Sequence, residues 1–134
     1  MFMLSMGAGM DLGFPDVCIT PVGPATVPIP YPHIAMSATS SPAAYNVLVD
    51  CMPSLNLMSQ GLVGAGDQAG VMGGVVDHDI GGGTVYMVGC ITILTDGAPA
   101  QRLTSVTGQN AMGVLPNTAG SCLAPSQVTV LTLG

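Results

Sequence analysis

Apolar residues occur along this chain in short runs rich in β-branched side chains, separated by Gly, Pro and polar positions. Four such runs predict short strands, at residues 47–49, 84–88, 91–94 and 128–131. No window sustains a 3.6-residue apolar period beyond about two turns, which argues against a helical domain. The best candidates for a short helix are the Met-rich start and the stretch around residues 67–72. The pattern predicts a mainly all-β protein with little helix.

An internal repeat relates two of these strands. Residues 47–59 read VLVDCMPSLNLMS, and they align without a gap, at a shift of 46 residues, with ILTDGAPAQRLTS at residues 93–105. In each copy a hydrophobic strand reaches an Asp, which can bond to the backbone two residues on, and a Pro begins the return strand. The repeat therefore predicts duplicated short hairpins.

The paired positions of the repeat are expected to define the fold. They are Asp50 with Asp96 at the turn, and Pro53 with Pro99 on the return strand. The second copy has the favoured tight-turn dipeptide Asp-Gly, whereas the first has Cys51, which suits a left-handed conformation less well.

A proline-rich segment, TPVGPATVPIPYP at residues 20–32, differs in kind from the rest of the chain. Its five prolines restrict φ and remove backbone donors, so the segment must be extended or polyproline-like. It suits a linker or a ligand for an aromatic groove, and its interleaved apolar residues favour an extended strip packed over a small β core.

Charge is scarce, because charged residues make up 6% of the chain and Arg102 is its only Lys or Arg. A net charge of −6 argues against nucleic-acid binding and against a polybasic membrane anchor, both of which need several basic residues. Such a surface suits either a protein largely covered by partners or a Gly/Pro-rich β-protein whose polarity comes from uncharged side chains.

Neither membrane insertion nor export is indicated by the hydropathy pattern. No run of about 18 apolar residues is present, so an integral membrane protein is not expected. The apolar start has no basic region and makes a poor signal peptide, which favours a cytoplasmic location until an assembly uses the protein. The four cysteines are widely spaced, with no C-x-x-C pair, and buried reduced thiols are the expected state.

The chain resembles the PAAR-like spike-tip family of type VI secretion and related contractile injection systems. Residues 99–102, Pro-Ala-Gln-Arg, follow a strand and Asp96-Gly97, and they resemble the Pro-Ala-Ala-Arg signature through Pro99, Ala100 and Arg102. The block at residues 16–35 resembles the opening of a PAAR-like branch through Pro28, Pro30 and Pro32. The ending at residues 116–131 is similar to the way that branch closes.

The resemblance implies a small cone-shaped β-fold with three-fold pseudosymmetry. In the family its base caps a trimeric VgrG-like spike, with one tip per trimer, and its point leads through a target membrane. We expect a PAAR-like domain at residues 15–134, preceded by a Met-rich segment at residues 1–14 that is a candidate for an added contact with the spike or a cargo protein. We expect a stand-alone tip without a toxin extension, so that an effector would be a separate polypeptide, and loading would move the protein out of the cell or into a target cell.

A metal ion with His and Cys ligands is common at the apex in the family. This chain has only His33 and His78, so a site of three His and one Cys cannot form within it. A tetrahedral zinc site from Cys18, His33, Cys122 and one further ligand is one possibility, and small core cysteines with a hydrogen-bonded loop histidine are the other. The expected cofactor is therefore none, or one zinc ion at the apex.

Two further patterns suggest chemistry that their context does not support. Asp77-His78-Asp79 resembles a catalytic or metal cluster, but neighbours in an extended segment point to opposite faces, so a solvated loop is expected. Residues 64–69 fit a relaxed dinucleotide fingerprint without the βαβ unit that it requires.

Three functions from different classes follow from this reasoning. The leading hypothesis is a non-enzymatic spike tip that binds a trimeric spike protein and carries an effector in some systems. The alternative is a small effector or toxin hydrolase delivered by the same machinery, which would need His33 or His78 beside an acidic partner. A free-standing adhesive β-domain is the third.

Overall fold

The computed structural model describes residues 1–113 and 115–133, and it confirms a nearly all-β fold. The only helical element in these residues is a single 3₁₀ turn, Ser37–Thr39. The expected short helices are absent from the described chain, because residues 1–6 run extended between strands and residues 67–74 form glycine-rich turns.

The strands are β1 (Met10–Val22), β2 (Ala25–Met36), β3 (Ser40–Ser41), β4 (Ala44–Val49), β5 (Met52–Ser54), β6 (Gln60–Gly61), β7 (Gly64–Ala65), β8 (Gly83–Tyr86), β9 (Cys90–Thr95), β10 (Ala98–Ala100), β11 (Val106–Met112) and β12 (Leu115–Ala124).

Eight of these strands form one sheet, in the order β3-β6-β8-β11-β12-β1-β2-β7. Every pairing within it is antiparallel. Two long hairpins dominate it: β1 with β2, which turns between Val22 and Ala25, and β11 with β12. The interior between these hairpins holds the polar residues described below.

The proline-rich segment is not a separate strip over the core, because it supplies the end of β1 and most of β2. Pro28 pairs with Ile19 and Pro30 with Val17, in register with the partner strand. In an antiparallel pair, successive residues direct their backbone groups to opposite edges, so prolines at every second position leave the donors that bond β1 intact. The sequence therefore forms an extended strand with one proline-blocked edge.

The repeat forms two equivalent hairpins, β4–β5 and β9–β10, as the sequence predicted. Leu48 pairs with Pro53 in the first, and Leu94 pairs with Pro99 in the second. The six residues of β4 and of β9 share one burial pattern, with buried ends and mostly exposed centres. Both turn positions have positive φ in both copies: 53° and 66° in the first, 54° and 81° in the second.

A third copy is built from the two ends of the described chain. Leu131 pairs with Phe2 as Leu48 pairs with Pro53, and the Thr132 N–H donates to the Met1 carbonyl at 2.7 Å. The strand predicted at residues 128–131 appears here as a single bridge with flanking hydrogen bonds. Met3 is buried, so the start of the chain is part of this core.

A closed ring of backbone hydrogen bonds joins the three copies. Leu4 donates to Gln101 at 2.9 Å, Gln101 donates to Leu55 at 3.0 Å, and Leu55 donates to Leu4 at 3.1 Å. A second ring of donors runs around the three copies in the opposite direction, from Met6 to Pro53, from Leu57 to Pro99 and from Leu103 to Phe2, at 2.8–2.9 Å. Within each ring, every copy donates to one neighbour and accepts from the other, which is three-fold pseudosymmetry within a single chain.

Candidate functional site

The three copies of the repeated strand pair expose equivalent apolar side chains. In the first copy Tyr45 and Leu48 are exposed, at 60% and 63%. The residues at the same places in the second copy are Ile91 and Leu94, exposed at 81% and 61%. These six positions, called the three-fold surface below, are Tyr45, Leu48, Ile91, Leu94, Val128 and Leu131. Exposed leucines and other large apolar side chains repeated about one axis are typical of a surface that a partner covers.

The signature residues hold this end of the molecule together. Asp50, Asp96 and Gly97 occupy the hairpin turns, and the carbonyls of Pro53 and Pro99 accept bonds of the second ring. Ala100 is fully buried, and the backbone of Arg102 bridges to Met3. These residues act through backbone conformation and packing rather than through reactive groups.

A second set of functional side chains lies between β1, β11, β12 and the loop at residues 66–82. Asp16 and Cys18 are two residues apart on β1, so they face the same side, and both are fully buried. The Cys18 thiol lies 3.9 Å from Asp67 Oδ2. This set, called the Cys18 cluster below, consists of Asp16, Cys18, Asp67, Asp77, Asn110 and Asn117.

Two amides orient the acidic groups of the Cys18 cluster. Asn110 Nδ2 donates to Asp16 Oδ1 at 3.4 Å and lies 3.8 Å from the Cys18 sulfur. The side-chain amide of Asn117 also donates to Asp16 Oδ1 and reaches the Val17 carbonyl at 3.0 Å. The amide oxygens accept backbone bonds from the loop, from Gly82 to Asn110 and from Val76 to Asn117. Both amides are thereby held with their N–H groups toward the cluster.

The loop at residues 66–82 approaches β1 so closely that only glycine fits at two places. A Cβ on Gly70 would lie 2.3 Å from the Cys18 Cβ. A Cβ on Gly74 would lie 2.1 Å from Asp77 Oδ1. The backbone of Gly74 bridges to Cys18, and the Gly81 N–H donates to both oxygens of Asp67 at 3.1 and 3.0 Å. These contacts place Asp67 and Asp77 against the strand.

Burial and mutual repulsion control the charge of the Cys18 cluster. Burial raises the pKa of the Cys18 thiol to about 12, with further contributions from Asp16, Asp67 and Asp77. Burial also raises the pKa of Asp16 and of Asp77. Asp16 Oδ2 and Asp77 Oδ2 are buried and find no hydrogen-bond partner among the described residues. The cluster thus concentrates acidic groups that favour protons or a cation.

The structure does not bring Cys18, His33 and Cys122 together. His33 is fully buried, its Nδ1 lies 2.9 Å from Gln109 Oε1, and its Nε2 is without a partner in the described chain. Cys122 lies in an apolar core cluster with Leu4 and Leu55, and its thiol donates to the Ala124 carbonyl at 3.5 Å. Among the described residues, the one group of metal-ligating side chains with ligand atoms within 4.8 Å of one another is Asp16, Cys18 and Asp67.

The expected solvated loop at Asp77-His78-Asp79 is only partly correct. His78 is exposed, with a φ of 61°, but Asp77 is 4% exposed and belongs to the Cys18 cluster. The Asp77 carboxyl is held by the Asp79 N–H, which donates to Asp77 Oδ1 at 3.2 Å. Residues 64–69 form no dinucleotide site, since Gly64 belongs to an edge strand and the Asp67 carboxyl is buried.

Sequence reasoning identified Cys18 but missed most of its partners. The sequence predicted no strand at Asp16 and Cys18, so it did not show that these two residues, two apart on β1, share a face. Asp67, Asn110 and Asn117 lie 49 to 101 residues from their partners on β1, and no local spacing connects them. Their convergence depends on the path of the loop at residues 66–82.

One comparison with known proteins found a match. The model of the Toxin PAAR-like domain family matches residues 9–116. The chain belongs to this family. The resemblance carried by the proline-rich block and the Pro-Ala-Gln-Arg hairpin is thereby confirmed. No curated protein and no solved structure matches the chain.

Family membership sets the broad function of this PAAR-like protein. The family indicates a spike-tip or toxin-associated protein of secretion systems, associated with spike proteins and non-enzymatic in general. Within the described residues, no helix has the length and apolarity that crossing a membrane requires.

Proposed function

We propose that this PAAR-like protein caps a trimeric VgrG-like spike of a contractile injection system, with one copy bound per spike trimer through the three-fold surface. The observation that carries the proposal is the closed ring of backbone bonds among Leu4, Leu55 and Gln101. A single chain that repeats one strand pair three times presents nearly the same contacts to each of three identical partner chains.

The chemistry of the three-fold surface supports a partner that covers it. Ile91 is 81% exposed and Val128 is 65% exposed, an unfavourable arrangement for β-branched side chains left in water. The hairpin turns carry Asp50 and Asp96, while the apolar positions lie along the strands. An apolar centre rimmed by a few polar groups is typical of stable protein interfaces.

The proposed role is mechanical rather than catalytic. Two surface pockets are lined by residues 57–62 with parts of β8 and β11, and neither pocket includes His33 or His78. The long β1–β2 and β11–β12 hairpins would form the part that leads into a target membrane. The protein would remain in the cytoplasm until loading and would leave the cell with the spike, together with any effector that it recruits.

Native mass spectrometry of the protein mixed with the trimeric spike protein from its own source tests this proposal. We expect one copy per trimer. Ile91→Asp, on the three-fold surface, should abolish the complex, whereas Val71→Asp, at a residue exposed at 60% outside that surface, should leave it intact. A free monomer in the presence of excess spike would contradict the proposal, and so would equal loss of binding in both variants.

A further inference from the structure

The Cys18 cluster contains more buried acid than its protein neighbours neutralise. Three of its members are carboxyl groups, and Asp16, Asp67 and Asp77 are 0%, 0% and 4% exposed. The charged neighbours that act on Cys18 are these same three acids. Burying several carboxyl groups without a cation is costly, and a bound metal ion is one common means of compensation.

Two orphaned atoms provide a second, independent observation. Asp16 Oδ1 accepts from both amides, but Asp16 Oδ2 has no partner among the described residues. Asp77 Oδ1 accepts from the Asp79 N–H, but Asp77 Oδ2 is likewise unpartnered there. Buried polar atoms are nearly always bonded, so two free carboxylate oxygens beside one thiol indicate a missing ligand.

The spacing of the donor atoms suits a tetrahedral ion. Zinc bonds sulfur at about 2.3 Å and carboxylate oxygen at about 2.0 Å, which places the two donors about 3.5 Å apart. Cys18 Sγ and Asp67 Oδ2 are separated by 3.9 Å. The Asn110 amide, 3.8 Å from the sulfur, supplies the kind of outer hydrogen bond that orients a metal-bound thiolate.

We propose that this chain binds one zinc ion through Asp16, Cys18 and Asp67. A thiolate with carboxylates is a donor set that zinc accepts, whereas calcium and magnesium prefer oxygen alone. The ion would join β1 to the loop at residues 66–82 and add to backbone bonds such as that from the Ile19 N–H to the Gly73 carbonyl at 2.8 Å. The expected family metal would thus be held by residues other than His33 and Cys122.

Metal analysis of the isolated protein tests this site without any spike protein. After incubation with zinc chloride and dialysis, we expect one zinc ion per chain, measured by inductively coupled plasma mass spectrometry. Zinc at about 100-fold above its dissociation constant should raise the Tm by roughly 10 °C, and a chelator should reverse the shift. Cobalt(II) in place of zinc should give a thiolate-to-metal charge-transfer band.

Matched variants distinguish this site from a metal site that uses His33 and Cys122. Asp67→Asn and Cys18→Ser should lose the zinc and the Tm shift, whereas His33→Asn and Cys122→Ser should keep both. Circular dichroism identifies any variant that fails to fold, and in that case the cobalt spectrum of the unmodified protein still reports sulfur ligation. Absence of zinc and of a Tm shift in the unmodified protein would overturn the proposal. Loss of zinc in His33→Asn and Cys122→Ser, with retention in Asp67→Asn, would overturn it as well.

Discussion

Gln101 is the residue at which the internal three-fold symmetry is broken. It occupies the place that Leu4 and Leu55 take in the other two copies, and all three are fully buried. Neither the Oε1 nor the Nε2 of Gln101 has a hydrogen-bond partner in the described part of the chain. A buried amide without partners costs free energy that an apolar side chain of similar size avoids.

Gln101→Leu should therefore stabilise the protein. We expect the free energy of unfolding to rise by about 1–3 kcal/mol, because the substitution removes an unsatisfied amide and restores three equivalent leucines. Urea denaturation monitored by circular dichroism measures the change.

Gln109 provides the matched control, because it is equally buried but fully bonded. Its Oε1 accepts from Thr84 at 3.0 Å and lies 2.9 Å from His33 Nδ1, and its Nε2 donates to Thr107 at 2.7 Å. Gln109→Leu should destabilise the protein. A loss of stability in both variants would show that Gln101 is bonded in solution.

Asp11 makes the stability depend on pH in the direction opposite to most acids. It is 1% exposed, and burial raises its pKa above the ordinary value of 3.8, although bonds from Cys122 and Tyr86 oppose the rise. A folded-state pKa above the unfolded value means that the protonated acid stabilises the fold. This stability is fully present below about pH 3.8 and is lost as the pH rises through the folded-state pKa.

Asp11→Asn should flatten this dependence. We expect the unfolding free energy of the unmodified protein to fall more between pH 4 and pH 7, by urea denaturation, than that of the variant. Equal slopes for Asp11→Asn and the unmodified protein would contradict the prediction.

The hairpins are the elements that the sequence predicted best. A strand, an Asp and a Pro recur in two copies, and each part of that pattern is local, so β4–β5 and β9–β10 could be found by alignment. The third copy could not be found in this way. Its strands are 131 residues apart at the contact between Thr132 and Met1, so no local strand–turn–strand pattern connects them.

The turn of the first hairpin is less favourable than that of the second. Cys51 has a φ of 66°, in the left-handed region that disfavours a side chain, whereas Gly97 adopts 81° at the same place in its hairpin. Cys51→Gly should raise the free energy of unfolding by roughly 1 kcal/mol, measured by urea denaturation. Gly97→Ala should lower it by a similar amount, since a Cβ there would meet no atom within 4 Å and only backbone strain would change. Stabilisation by Gly97→Ala would contradict this account.

At the scale of the whole molecule, the fold could be predicted further than the Cys18 cluster. Strand-rich patterning and the repeat follow from local sequence, and both were confirmed. The cluster depends on a loop crossing β1, where Gly70 and Gly74 permit an approach that no periodic pattern records. The family resemblance suggested Cys18 as a metal ligand and His33 as a second ligand of the same ion. In the fold, His33 Nδ1 lies 2.9 Å from Gln109 Oε1 instead.

Pseudosymmetry also predicts how the three-fold surface distributes its binding energy. Leu48, Leu94 and Leu131 are exposed at 63%, 61% and 56% and occupy equivalent places, so a three-fold partner should contact each in nearly the same way. Burying a leucine contributes about 1.5–3 kcal/mol. Each single substitution to Asp should therefore weaken binding to the trimeric spike by at least about 10-fold, and by similar factors. Titration calorimetry with the spike protein measures the three affinities, and Val71→Asp, at a residue 60% exposed outside the three-fold surface, serves as the control. A loss confined to one of the three leucines would indicate a partner that docks on one side of the molecule rather than about its axis.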